Sequence, residues 1–195
     1  IHAQGDVVVD GLVMEPHNGA IALHAASNSA ISGRQPGGAM GYVLAVGQRP
    51  SESAVVLVAE TSARMTLERR AQQHESIEAL LATLPSDTRV SLLSADWLTK
   101  PLGVDLSPAE ARAALPRLDE IISAGSLDVG HTFAEASELA KKVGAQSVVF
   151  FGEGQSGFRY DAFQTSTEAW QRDDLALFAV SSGAISPGLR RMAAE

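Results

Sequence analysis

From Ser53 onward, apolar and polar positions alternate between two periodicities. Ala54-Val55-Val56-Leu57-Val58-Ala59 is apolar throughout, the pattern of a parallel strand covered on both faces. Leu67, Ala71, His74, Ile77, Leu80, Leu81 and Leu84 then recur at steps of three and four, which predicts a helix with one apolar stripe. Arg89-Val90-Ser91-Leu92-Leu93 is a second strand. Ser107-Pro108-Ala109-Glu110 combines a capping serine, a proline at the first helical position and a glutamate that closes a capping box. The helix it opens carries Leu115, Leu118 and Ile122, with a kink expected at Pro116. Phe133, Ala136, Leu139, Ala140 and Val143 form a further helical stripe that Gly144 ends. Ser147–Phe151 and Leu175–Val180 are the third and fourth strands, and Ser186-Pro187 opens a last helix.

The first 50 residues read differently. Asp6–Asp10, Ala20–His24 and Tyr42–Val46 are short β-prone runs. Asn18-Gly19 is a hairpin turn signal, and Gly33–Gly38 is a flexible loop. Residues 1–50 therefore form a β-rich segment, and residues 53–195 form an α/β domain whose closing strand is expected beyond the fourth. Strand and helix in alternation with short connections predict a Rossmann-like, doubly wound, mostly parallel sheet with helices on both faces. Ligands and partners of such sheets sit beyond the carboxyl ends of the strands. That directs attention to residues 60–64, 94–97, 125–130, 152–157 and 181–184.

Composition narrows the function classes. The 195 residues are 45% apolar and 19% charged, with 15 Lys and Arg against 23 Asp and Glu, a net charge of −8. Such a balance disfavours a basic surface for nucleic acid. There is no cysteine, which excludes disulfides, thiolate metal sites and a cysteine nucleophile. No apolar run reaches the roughly 18 residues of a membrane span. The expected protein is soluble, and both a cytoplasmic and a secreted location fit.

Few motifs carry chemistry. Gly152-Glu153-Gly154-Gln155-Ser156-Gly157 matches Gly-x-Gly-x-x-Gly directly after a strand, the context of dinucleotide binding. The acid that would hold a ribose should close the next strand, but Asp173 and Asp174 precede it, and Glu153 would repel a pyrophosphate. A glycine-rich turn is the simpler reading. His2, His17, His24, His74 and His131 form no ligand pair. No nucleophile has an attached base.

The order of segments resembles a von Willebrand factor A (vWA) domain over residues 53–195. Val55–Met65 is similar to that family's first strand and its Asp-x-Ser-x-Ser loop. Asp87–Leu93 is similar to its second strand. Ala124–Val129 stands where the family has a Gly-Gly-Thr-Asp-like run, and Phe150–Gly154 where it has a strand followed by Thr-Asp-Gly. Residues 1–48 resemble the tail of the VIT β-sandwich that precedes vWA domains in bacterial and animal proteins. The resemblance implies a protein-interaction or adhesion module. It also implies a Mg²⁺ site of hydroxyl and carboxylate ligands that is completed by a partner's carboxylate.

Carried over residue by residue, that metal site is degenerate. Glu60 stands for the first aspartate, Ser62 is kept, Arg64 replaces the second serine, Leu127 the threonine and Glu153 the later aspartate. A shifted alignment brings Thr132 nearer, but about a turn inside a helix. No cofactor is expected, and even weak Mg²⁺ binding is disfavoured. Arg64 is expected to replace the metal's charge and pair with Glu60 or Glu153. Glu60, Ser62, Arg64, Trp97, Asp128 and Glu153 are the candidate partner-binding residues, with Trp97 either an exposed anchor or part of the core. The function expected is a non-catalytic module that binds a protein partner or copies of itself. A dinucleotide-dependent enzyme built on Gly152–Gly157 is the alternative.

Overall fold

A computed structural model describes residues 54–123, 125–155, 175–181 and 185–189 in full, together with the backbone of five strands before residue 54. Among these, β1 (Val7–Val9), β2 (Leu12–His17) and β3 (Ala20–Ala25) form a three-stranded antiparallel sheet. His17 lies opposite Ala20, as a two-residue Asn-Gly connection requires. Residues 18 and 19 themselves lie outside the described residues. β4 (Ala30–Arg34) and β5 (Met40–Val46) pair antiparallel, so the first two residues of the loop expected at 33–38 belong to a strand.

The rest of the chain runs β6 (Ala54–Glu60), α1 (Leu67–Thr83), β7 (Arg89–Ala95), β8 (Thr99–Leu106), α2 (Pro108–Ala114), α3 (Pro116–Asp119), α4 (Val129–Val143), β9 (Ser147–Phe151) and β10 (Ala176–Ser181). The main sheet has the order β4-β5-β10-β9-β6-β7-β8. β10, β9, β6 and β7 are parallel, while β8 on β7 and β5 on β10 are antiparallel. The expected doubly wound α/β sheet is therefore present. Its two faces can be read off β6. Ala54, Val56 and Val58 enter a cluster with Phe133, Ala136 and Ala140 of α4, and Val55, Leu57 and Ala59 enter one with Ile77 and Leu81 of α1 and Leu115 and Leu118. A strand buried on both faces needs apolar residues at every position, and β6 has them up to Glu60.

Three expectations are corrected. β8 falls in a stretch between the second strand and the Ser107 cap to which no element is assigned above, because its exposed positions, Pro101 and Gly103 hide the strand signal. Pro116 divides the helix rather than kinking it. α2 ends at Ala114, α3 starts at the proline, and Ile122 lies beyond Asp119 and is exposed. In α1, Leu67 and Ala71 face solvent, and the buried positions are Gln73, Ile77 and Leu81. As expected, Gly144 ends α4 in a left-handed conformation with φ 70°. Ser186 accepts the Leu189 N–H at 3.2 Å, ahead of a helical turn at 187–189.

Candidate functional site

Parallel strands deliver their carboxyl ends to one edge, so the loops after β6, β7 and β9 meet there. Thr61 N–H donates to the Ala95 carbonyl (2.7 Å), and Ala63 N–H donates to that of Gly125 (3.0 Å). At the centre is Glu60, the last residue of β6, with no exposed surface. Its Oε1 accepts the Ser62 hydroxyl at 2.6 Å, and its Oε2 accepts the backbone N–H groups of Glu153 (2.9 Å) and Gly154 (3.0 Å). The carboxylate therefore ties the loop after β6 to the loop after β9. Burial pushes the Glu60 carboxyl above its ordinary value, and the nearby Glu153 carboxylate adds to this. The Ser62 hydroxyl and the two amides oppose the rise without cancelling it.

The close approach explains one glycine. A Cβ on Gly152, whose φ is +152°, would stand 2.4 Å from Glu60 Oε2. Glu153 is 5% exposed and bonds on both oxygens, with Arg69 Nη1 at 3.0 Å from Oε1 and Gln155 Nε2 donating to Oε2 at 3.2 Å. Arg64 is exposed and donates to Gln155 Oε1 at 2.7 Å. The ion pair expected of Arg64 is thus made by Arg69. The first turn of α1 carries Arg69 back over the loop, whereas Arg64 sits in the turn before the helix. Gln73, absent from the sequence expectations, donates from Nε2 to the Glu60 carbonyl (3.1 Å) and the Phe151 carbonyl (2.7 Å), bridging the ends of β6 and β9. A polar residue in the apolar stripe, four before Ile77, was the available signal.

The other candidates are placed apart from this centre. Leu127 is fully buried in the core cluster beneath α4. Asp128 caps α4 by accepting the His131 N–H at 3.0 Å, and its own N–H donates to the Asp96 carbonyl at 2.8 Å. Thr132 is buried in α4 beside the Thr99 hydroxyl, 3.3 Å away. Trp97 is 55% exposed and lies against Gly125, so it is on the surface rather than part of the core. Of the glycine motif, Ser156 and Gly157 lie outside the described residues. A cleft beside Arg69, Gln73, Phe151 and Glu153 holds about 20 Å³, room for roughly one water.

No family model matches the chain, and no curated protein does. Among solved structures, the chain is similar to an aerotolerance-related membrane protein from Bacteroides fragilis, with a TM-score of 0.56 and 9% identity over 73% of this chain and 87% of that one. BatB from Bacteroides thetaiotaomicron gives 0.56 and 10%, over 73% and 85%. The fold is vWA-like. A von Willebrand factor type A structure from Catenulispora acidiphila gives a TM-score of 0.49 and 17% identity over 79% of this chain and 45% of that one. At 9 and 10% identity the likeness to the two Bacteroides structures shows the fold alone. Among the described residues, no helix is long and apolar enough to cross a membrane.

Proposed function

We propose that this chain is a non-catalytic protein-interaction or assembly module of vWA type that works without bound Mg²⁺. The observation that carries this reading is the commitment of both Glu60 oxygens to protein donors. A hard cation needs several oxygen ligands converging on one point. Here the carboxylate that stands first in the metal motif is already satisfied, and Leu127 offers only methyl groups to the core. The glutamate's extra carbon brings the carboxylate to the amides of the β9 loop, so a protein group braces the loops.

In this reading residues 53–195 form the vWA-like domain, and of the β-rich residues 1–50, β4 and β5 extend its sheet through β10 while β1–β3 pair among themselves. Glu60, Ser62 and Glu153 are the buried brace, Asp128 is a helix cap, and Arg64 and Trp97 face the partner, which is a protein or a second copy. The dinucleotide reading is the weaker one, because the Glu153 and Gly154 N–H groups that would cradle a phosphate already donate to Glu60. Thermal unfolding of the full chain tests both readings. The midpoint should be the same in EDTA and in excess MgCl₂ or MnCl₂, and unmoved by NAD, NADP or flavin. A midpoint raised by either cation rejects the metal-free reading, and one raised by a nucleotide favours the enzyme.

A further inference from the structure

The main sheet ends in two edge strands, β8 and β4, and they are built differently. An open edge presents a row of unpaired N–H and C=O groups to any other strand, and proteins that stay single blunt such edges. β8 is blunted throughout. Pro101 removes an N–H, and Lys100, Pro101, Val104 and Asp105 are exposed along it. Its pairing with β7 slips twice, between Val90 and Leu92 and between Leu92 and Leu93. Asp105 leaves the extended conformation with φ 59°, and its carboxylate meets Arg89 at 2.8 Å.

β4, Ala30-Ile31-Ser32-Gly33-Arg34, has none of these devices. It carries no proline, its one charge is at its last position, and it pairs with β5 through five consecutive residues without a slip. Among the described residues, no strand pairs with its other side. The small sheet offers no comparable edge, since β1 is three residues long and β3 lies against α1 and β5.

The register of β4 says what fits it. Two copies related by a two-fold axis normal to the sheet pair antiparallel, and opposed residues then share a face. With the axis at Ser32, all five residues pair. Arg34 stands opposite Ala30 of the second copy, Ile31 opposite Gly33, and Ser32 opposite itself. No like charges meet. In-register parallel pairing would instead set Arg34 beside Arg34, a like-charge pair that destabilises a sheet. The antiparallel contact also closes on itself and removes both open edges at once.

We propose that β4 is a self-association edge, along which two copies of this chain join antiparallel into one continuous sheet. β5, β10 and β9 separate β4 from β6, so Glu60 and the loop after it stay outside this contact. The inference goes beyond the proposed function: it adds a second surface, and the metal-free reading stands or falls without it.

Sedimentation equilibrium of the full chain up to roughly 100 µM should show a monomer–dimer equilibrium in the micromolar range. Ser32→Lys and Ser32→Glu each set like charges across the axis, and each alone should dimerise about fivefold more weakly. Mixed in equal amounts, the two should pair with each other at least as tightly as wild type, a rescue that misfolded chains cannot give. Val104→Lys, on β8, should leave the dimer unchanged. A wild type that stays monomeric throughout overturns the proposal. So do a Ser32→Lys dimer as tight as wild type, a mixture as weak as its components, and a dimer dissolved by Val104→Lys. A dimer dissolved by Trp97→Ala overturns it too, and moves self-association to the loops at the carboxyl ends of the strands.

Discussion

A carboxylate without solvent contact is an unfavourable place for a negative charge, and at Glu60 three donors hold it there. Ser62 decides what replacement the site tolerates, because a hydroxyl can accept as well as donate. In Glu60→Gln the amide oxygen takes the two backbone N–H groups and the Nε2 donates to Ser62, so all three contacts remain, with the hydroxyl now accepting, and the buried charge is gone. Because burial raises the Glu60 carboxyl in the fold, the unfolded chain ionises first as pH rises. Wild type therefore loses stability from the ordinary carboxylate range upward until the folded group has ionised too. Glu60→Gln should match wild type in acid and become the more stable protein by neutral pH. Glu60→Ala leaves two buried N–H groups without acceptors and should lose about 2–4 kcal/mol. Urea unfolding of the three proteins at acidic and neutral pH measures both effects, and a wild type that gains on Glu60→Gln as pH rises would refute the account.

Elements were legible wherever a period repeats without interruption. β6, β9 and β10 are apolar runs buried on both faces, and α4 has its stripe and its glycine stop. β8 was illegible, because an edge strand buries little and its sequence, Thr-Lys-Pro-Leu-Gly-Val-Asp-Leu, interrupts alternation with a proline and a glycine. At the site, the strand ends directed attention to residues 60–64 and 152–157, and the vWA resemblance singled out Glu60, Ser62 and Glu153 within them. Which of three arginines meets Glu153 depends on where α1 starts, and the boundary residue Thr66 was not read as its cap. The capping box before α2 was read, and it is complete. Ser107 Oγ accepts the Glu110 N–H at 3.3 Å, and Glu110 Oε2 accepts the Ser107 N–H at 2.8 Å. Ser107→Ala should cost about 1 kcal/mol, seen as a lower urea midpoint with an unchanged slope.

Across the whole molecule, four parallel strands send their carboxyl ends to one edge, and the loops there need something to hold them in register. In a metal-bound site a cation fills that need. In this chain the Glu60 carboxylate bonds Ser62 on one side and residues 153 and 154 on the other, while Gln73 spans the carbonyls of Glu60 and Phe151. Two loops separated by some ninety residues of sequence therefore share one anchor. If that anchor is cut, both should open together, because Gln73 bonds the Glu60 and Phe151 carbonyls at the strand ends and, among the described residues, no residue of either loop. Hydrogen exchange on Glu60→Ala should rise jointly at residues 61–65 and 152–154, while α2 and β8, which make none of these bonds, keep wild-type protection. Faster exchange confined to residues 61–65 would mean that Gln73 alone holds the edge. The carboxylate would then be a buried charge with no structural return, and Glu60→Gln should stabilise the chain without altering the motion of either loop.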